Sequence, residues 1–370
     1  MRTFTRRAIP ALALGAAACA TPVGARGQSL HALAAAKGMR FGSAMPHRAL
    51  GDARYLELLR SECGLIVSEN EHKWASIQPA PGVFNFAPAD AMMAWADANG
   101  LAYRGHTLVW HHVQWLPRWV NEYQFGANPA AEAEALLRAH VTTVAQRYRG
   151  RISSWDAINE AVDHTDGAIR ETVFTRALGK EAANDLIFHI AREALPNEQL
   201  VYNDYMSWEG HSTTHRNGVL RLLEGFKARG VPVDALGVQA HIGSANTDDS
   251  VGFATQNERE WRRFLDEVTG MGYDLLITEL DVHDRTLPAD IAARDAEMAR
   301  YLRGYLDLMF SYRQLKAVLA WGMADHYSWL QERWLRDDRA PKRPTPYDAA
   351  FQPKPMRDAI AAAFKAAAAR

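Results

Sequence analysis

The sequence predicts an α/β protein built as a single (β/α)8 TIM barrel over residues 30–365. Three observations lead there. Short β-rich runs alternate with longer helix-patterned runs eight times along the chain. No Gly/Ser linker, low-complexity tract or internal repeat divides it. A length of 370 residues suits one large barrel or two average domains, so the unbroken alternation decides for one.

The eight strands are expected at 39–45, 64–69, 102–110, 153–159, 200–204, 235–241, 274–281 and 316–324. The intervening segments carry helical periodicity. Leu137, Val141, Val144 and Tyr148 recur at spacings of four, three and four, and Ile187, Ile190, Ala191 and Ala194 mark a second amphipathic face. In a barrel the carboxyl ends of the strands share one rim, and polar and aromatic residues gather at those ends here. They are Glu69 and Asn70 after the second strand, His106, Trp110 and His111 on the third, and Asn159 and Glu160 on the fourth. Asn203, Asp204 and Tyr205 follow on the fifth, Gln239 and His241 on the sixth, Glu279 on the seventh and Trp321 on the eighth.

Residues 1–25 read as an export signal outside the fold. Arg6-Arg7 beside Thr5 begins a basic region, an apolar run over 11–18 follows, and small residues extend to Ala25. The apolar run is too short to span a bilayer, and the paired arginines resemble a twin-arginine signal, which implies a periplasmic or secreted protein. Cleavage near Ala25 removes Arg2, Arg6 and Arg7 from 42 basic side chains and none of the 43 acidic ones, leaving a net charge of −4. It also removes Cys19, so Cys63 is left without a disulfide partner. A near-neutral chain with no basic block argues against nucleic acid, and no permanent membrane span is present. A monomer is expected.

The chemistry is concentrated in two stretches, Trp155-Asp156-Ala157-Ile158-Asn159-Glu160 and Ile277-Thr278-Glu279-Leu280-Asp281. Each is an apolar run that carries a glutamate to a strand end, and the two glutamates stand 119 residues apart. On a common rim they can face each other, which is what cleavage of a glycosidic bond requires: one carboxyl protonates the leaving oxygen while the other stabilises or attacks the anomeric carbon. Asn159 offers an amide to a sugar hydroxyl. Asp281, two residues beyond Glu279, points to the same side of an extended strand.

The motifs together resemble glycoside hydrolase family 10, the endo-β-1,4-xylanases, from residue 30 to about 363. The similarity rests on Glu69-Asn70-Glu71-His72-Lys73-Trp74, Gly82 to Phe86, His106 to His111, Trp155 to Glu160, Tyr202 to Tyr205, Gly237 to His241, Ile277 to Asp281, Trp321 to Asp325 with Ser328-Trp329, and Phe351 to Pro355. It implies retaining hydrolysis of xylan and xylo-oligosaccharides with no cofactor and no metal. By the same resemblance Glu160 is the acid/base, Glu279 the nucleophile, and His241 the histidine bonded to the nucleophile, with Asp281 behind it. Asn159 is expected at the sugar 2-hydroxyl, Glu69, Asn70 and Lys73 at the next glycone unit, His106, Trp110 and Trp321 around the reacting ring, and Gln239 among the substrate-binding residues. Tyr205 and Trp329 are candidates for further xylose units.

Three departures stand out. His112 to Pro117 reads as a local insertion, Met206 replaces a common Asn, and Thr345-Pro346-Tyr347-Asp348 replaces an apolar segment. A metal hydrolase is disfavoured because neither His-x-His on the first strand nor His-Glu-x-x-His occurs. A non-catalytic sugar-binding barrel would have lost one carboxylate. The nearer alternative is a related endo-β-1,4-glycanase acting on cellulose or mixed-linkage glucan, since one hydroxymethyl group is worth only about 1–3 kcal/mol of discrimination.

The signal generates its own test. Replacing Arg6 and Arg7 by lysine should strand the precursor in the cytoplasm, as read by cell fractionation; normal export of that variant would refute a twin-arginine route.

Overall fold

The computed structural model describes residues 28–243 and 256–370, and the expected export signal over 1–25 lies outside them. Nine strands are present among the described residues. They are β1 Arg40–Met45, β2 Leu65–Ser68, β3 Ala102–Trp110, β4 Ile152–Asn159, β5 Gln199–Asp204, β6 Ala235–Val238, β7 His241–Ile242, β8 Asp274–Val282 and β9 Leu315–Ala320. Every pairing between them is parallel; β1 to β6 follow in sequence, β6 pairs with β8, β8 with β9, and β9 with β1. The eight-stranded barrel expected from the alternation is therefore closed.

The sixth strand departs from the expected 235–241. Ala240 adopts φ 62°, a left-handed backbone that breaks the strand after Val238. The chain resumes as β7, pairing His241 with Asp281 and Ile242 with Val282 beyond the ring. The eighth run is also shorter than expected, since β9 stops at Ala320 and the backbone turns through Gly322.

Apolar residues fill two layers. Outside the barrel, helices bury one face each against the strands: Pro129–Tyr148 buries Leu137, Val141, Val144 and Tyr148, and Lys180–Ala194 buries Ile187, Ile190, Ala191 and Ala194. The first is started by Asn128, whose side chain accepts from Ala131 N, and by Pro129 at the first helical position. Inside the barrel lies a smaller cluster that includes Leu65, Val67, Val201, Leu276 and Leu319, with Trp321 above it and Trp329 packed against it. The floor of the rim is thus largely apolar.

Two charged side chains share that interior. Arg104 of β3 and Asp156 of β4 are both fully buried, and the guanidinium grips the carboxylate with two hydrogen bonds. Between them in sequence, Gly105 faces outward, where the Trp155 indole crosses its Cα so closely that a Cβ would lie 2.0 Å from the ring.

The segment Thr345 to Asp348 proves structural. Thr345 donates to Asp325 from both its backbone and its hydroxyl, Tyr347 pairs with Ala324, and the Tyr347 hydroxyl donates to the buried Glu62 at 2.5 Å. Met206, the second departure, is completely buried.

Gly105→Ala should destabilise the barrel by about 1–3 kcal/mol, because the buried Trp155 has nowhere to move. A thermal melt followed by circular dichroism should fall by several degrees, and an unchanged midpoint would show that the strand pair accommodates the methyl group.

Candidate active site

The register of the barrel sets the rim. Trp110 of β3 is level with Asn159 of β4, Asn159 with Asn203 of β5, and Asn203 with Gly237 of β6. Gly237 is required by contact: a Cβ there would lie 2.4 Å from the Asn203 Oδ1, so the missing side chain leaves room for the amide. Asn203 then donates from Nδ2 to both Asn159 Oδ1 and Glu279 Oε1, each at 2.8 Å, while its Oδ1 accepts from the Thr278 hydroxyl at 2.6 Å. Gln239 Nε2 donates to Glu160 Oε1 at 2.9 Å and to Asn159 Oδ1 at 3.3 Å. Three carboxamides thus form a belt between the two glutamates.

Glu279 is nearly buried. Besides Asn203, it meets His241 Nε2 at 3.2 Å through Oε2, and His106 Nδ1 lies 3.9 Å from Oε1. His241 donates its other ring N–H, Nδ1, to Asp281 Oδ1 at 2.9 Å, and the second oxygen of Asp281 accepts from the Trp329 indole at 2.8 Å. Burial would lower the His241 pKa, but the charges and hydrogen bonds of Asp281 and Glu279 outweigh it and raise the value to about 10. The ring is an imidazolium between two carboxylates.

Glu160 sits at the end of β4 with φ 56°, a left-handed conformation costly for a residue with a side chain. Its N–H donates to Asn203 O at 2.9 Å. Burial and the nearby charge of Asp204, with a smaller part from Glu279, push its carboxyl up against the opposing effect of the Gln239 hydrogen bond. The two rim glutamates therefore occupy unlike surroundings.

On the far side of the rim, Lys73 Nζ donates to Asn70 Oδ1 at 2.8 Å and lies 4.9 Å from the centre of the Trp110 ring. Burial lowers the Lys73 pKa against the pull of Glu279 and Glu69, and burial raises that of Glu69 against Lys73. Trp115, supplied by the expected insertion, stacks on Trp110 with ring centres 4.6 Å apart. Trp321 stands edge-on to His106 at 5.4 Å and to His241 at 6.4 Å. Tyr205 hangs over the opposite side, its hydroxyl accepting from Arg170 Nη2 at 2.7 Å.

All fourteen residues selected from the sequence thus lie on or around one rim. His111, also read there as a rim residue, is turned inward instead: it is buried, with Nε2 at 2.8 Å from the Thr172 hydroxyl. Three participants were not selected. Asn203 was in view within Tyr-Asn-Asp-Tyr but given no role. Asp156, an acid within an apolar run, accepts from His106 Nδ1 at 2.8 Å as well as from Arg104; burial would raise its pKa, but these two partners hold it low. Arg170 carries no motif that would have drawn attention to it.

A closed parallel barrel whose rim opposes two carboxylates across amides, flanked by tryptophans, defines the class of glycoside-cleaving barrels. Within that class the chain belongs to glycosyl hydrolase family 10, whose model matches residues 29–363. It is 31% identical over 334 residues to endo-1,4-beta-xylanase 3 of Hypocrea jecorina, covering 90% of this chain and 85% of that protein. Among solved structures it resembles native xylanase 10B from Thermotoga maritima, with 30% identity, a TM-score of 0.80, and coverage of 91% of this chain and 98% of that one. Xylanase 10B from Thermotoga petrophila in complex with xylobiose matches with 29% identity and a TM-score of 0.80, covering 92% and 98%.

The His241 charge has a measurable sign. A histidine raised from about 6.5 in the unfolded chain to about 10 when folded adds stability that is complete below pH 6.5 and is lost as pH climbs towards 10. The urea midpoint of the wild type should fall across that window more steeply than that of His241→Asn. Parallel pH profiles would mean that the ring is neutral.

Proposed function

We propose that this protein is an endo-1,4-β-xylanase that hydrolyses internal bonds of xylan with retention of configuration, Glu279 acting as nucleophile and Glu160 as acid/base. The observation that carries the reading is the asymmetry of the two rim carboxyls. Both oxygens of Glu279 receive donors, from the Asn203 amide and the His241 imidazolium, a setting suited to an anion aimed at the anomeric carbon. Glu160 is pushed the other way by burial and by the charges of Asp204 and Glu279, which favours a proton held for the leaving oxygen.

The reaction then follows from these groups. Glu160 gives its proton to the glycosidic oxygen as Glu279 attacks, which calls for carboxyls roughly 5–5.5 Å apart with no water between them. The glycosyl ester neutralises Glu279. That removes one of the charges holding the proton on Glu160, so in the second step Glu160 can take a proton from water and release the sugar with its original configuration. Asn159 is suited to the 2-hydroxyl, where a hydrogen bond strengthens in the transition state. Lys73, Asn70 and Glu69 are suited to the next glycone unit, and Trp110, Trp321 and Trp329 to the flat faces of the sugar.

Xylan as substrate is supported by the names of the relatives and by the xylobiose bound to the Thermotoga petrophila enzyme. Hydrolysis of xylan beside carboxymethyl-cellulose, with product lengths followed over time, tests the choice: short xylo-oligosaccharides from mid-chain cleavage support it, and preferential attack on cellulose would reassign the substrate. Export remains the reading of the first 25 residues.

The two roles separate by chemistry. Glu279→Ala should abolish turnover of every β-xyloside whatever its leaving group, with substrate binding retained. Glu160→Ala should still form the glycosyl-enzyme from an activated aryl β-xylobioside and then stall, and azide should restore turnover as a β-glycosyl azide. A β-azide formed by the Glu279 variant, with an α-azide from the Glu160 variant, would reverse the assignment.

A further inference from the structure

Glu160 is followed by a hairpin that folds straight back to it. Val162 and Ile169 pair in antiparallel fashion, Asp163 N donates to Ala168 O and Arg170 N to Ala161 O, both at 2.8 Å. This return brings the largely buried Arg170 guanidinium beneath the carboxyl residue, where it serves three groups. Nε donates to the Glu160 backbone carbonyl at 3.0 Å, Nη1 to Asp163 Oδ2 at 2.8 Å, and Nη2 to the Tyr205 hydroxyl oxygen at 2.7 Å.

We propose that Arg170 is a positioning residue that couples occupancy of the leaving side, sensed at Tyr205, to the aim of the Glu160 carboxyl. This rests on Glu160 being the acid/base. The direction of a side chain is set by the peptide planes on either side of its Cα. At Glu160 the preceding plane is fixed by the N–H to Asn203 O, and the following plane by Arg170. With φ at 56° the residue is held in a sparsely populated conformation, so loss of either hold lets it relax and swings the carboxyl away.

The Tyr205 end supplies the sensor. Burial, reinforced by the Asp204 charge, keeps this phenol un-ionised far above neutral pH, so it has one proton to place. Because Arg170 donates to its oxygen, that proton must point elsewhere: to His164 Nδ1, 3.0 Å away, or to a sugar hydroxyl that displaces His164. A donor in the arginine position thus makes Tyr205 a directed donor to the leaving-side unit. The guanidinium serves backbone, carboxylate and phenol from three separate nitrogens of one rigid fork, whereas the donors of a lysine diverge from a single nitrogen and do not reproduce that spread.

The experiment compares substrates that do and do not need this coupling. kcat/KM would be measured for Arg170→Ala, Arg170→Lys and Tyr205→Phe on xylopentaose and on a dinitrophenyl β-xylobioside, whose leaving group needs no proton and places no xylose at Tyr205. Losing hydrogen bonds from a charged donor is expected to cost both arginine variants roughly ten- to a hundredfold on xylopentaose and only a few-fold on the aryl substrate. Tyr205→Phe should show a smaller loss confined to xylopentaose, and millimolar guanidinium should recover part of the Arg170→Ala activity on that substrate alone. Equal losses on both substrates, or a lysine variant at wild-type rate, would overturn the proposal by making Arg170 an ordinary structural residue. A wild type inert on both would overturn the reaction itself.

Discussion

One imidazolium between two carboxylates organises the upper half of this barrel. Glu279 and Asp281 project from the same face of β8, and both are buried almost completely. Two such charges in low dielectric would repel each other and neither would be well solvated. His241 answers both at once, one ring nitrogen to each. The backbone is arranged to put it there: the left-handed turn at Ala240 breaks β6, and the two-residue β7 sets His241 level with Asp281. The spare oxygen of Asp281 then fixes the Trp329 indole, so an aromatic wall of the cleft is held by the same charge.

A similar device recurs across the rim. Asp156 lies between Arg104 and His106 much as Asp281 lies between Trp329 and His241, and both imidazoles come near Glu279. In each case a buried aspartate fixes a ring that faces Glu279, and in each the other oxygen of the aspartate accepts a second hydrogen bond, from Arg104 or from the Trp329 indole. The cost of burying these charges is met by pairing and by hydrogen bonds to their remaining oxygens. That leaves the cleft with side chains whose rotamers are already set before any sugar arrives.

Much of this was legible in the chain. Strands buried on both faces read as apolar runs, so eight of them could be counted, and the 3.6-residue spacing of Leu137 to Tyr148 marked a helix that buries those four residues. The glutamates announced themselves by standing at strand ends. What stayed hidden depends on backbone geometry or on partners distant in sequence. Nothing in Val238-Gln239-Ala240-His241 signals that an alanine will take a positive φ. Arg104 and Asp156 are 52 residues apart, and in sequence each is only a charge inside an apolar run. Asn203 gains its role from the glycine across the sheet that makes room for its amide. His111 looked like its neighbour Trp110, yet alternation along the strand end turned it inward to Thr172.

The belt of carboxamides has a consequence for how protons move. Every step on the path from Glu160 to Glu279, through Gln239, Asn159 and Asn203, is an N–H donated to oxygen. Amides neither gain nor lose protons near neutral pH, so the belt conveys the field of one carboxylate to the other and conducts nothing. Carboxyl pairs in direct contact share a single proton and titrate as one unit. Here the belt is an insulator, and a proton lost from Glu160 has to be recovered from solvent through the open cleft rather than by a hop along the rim.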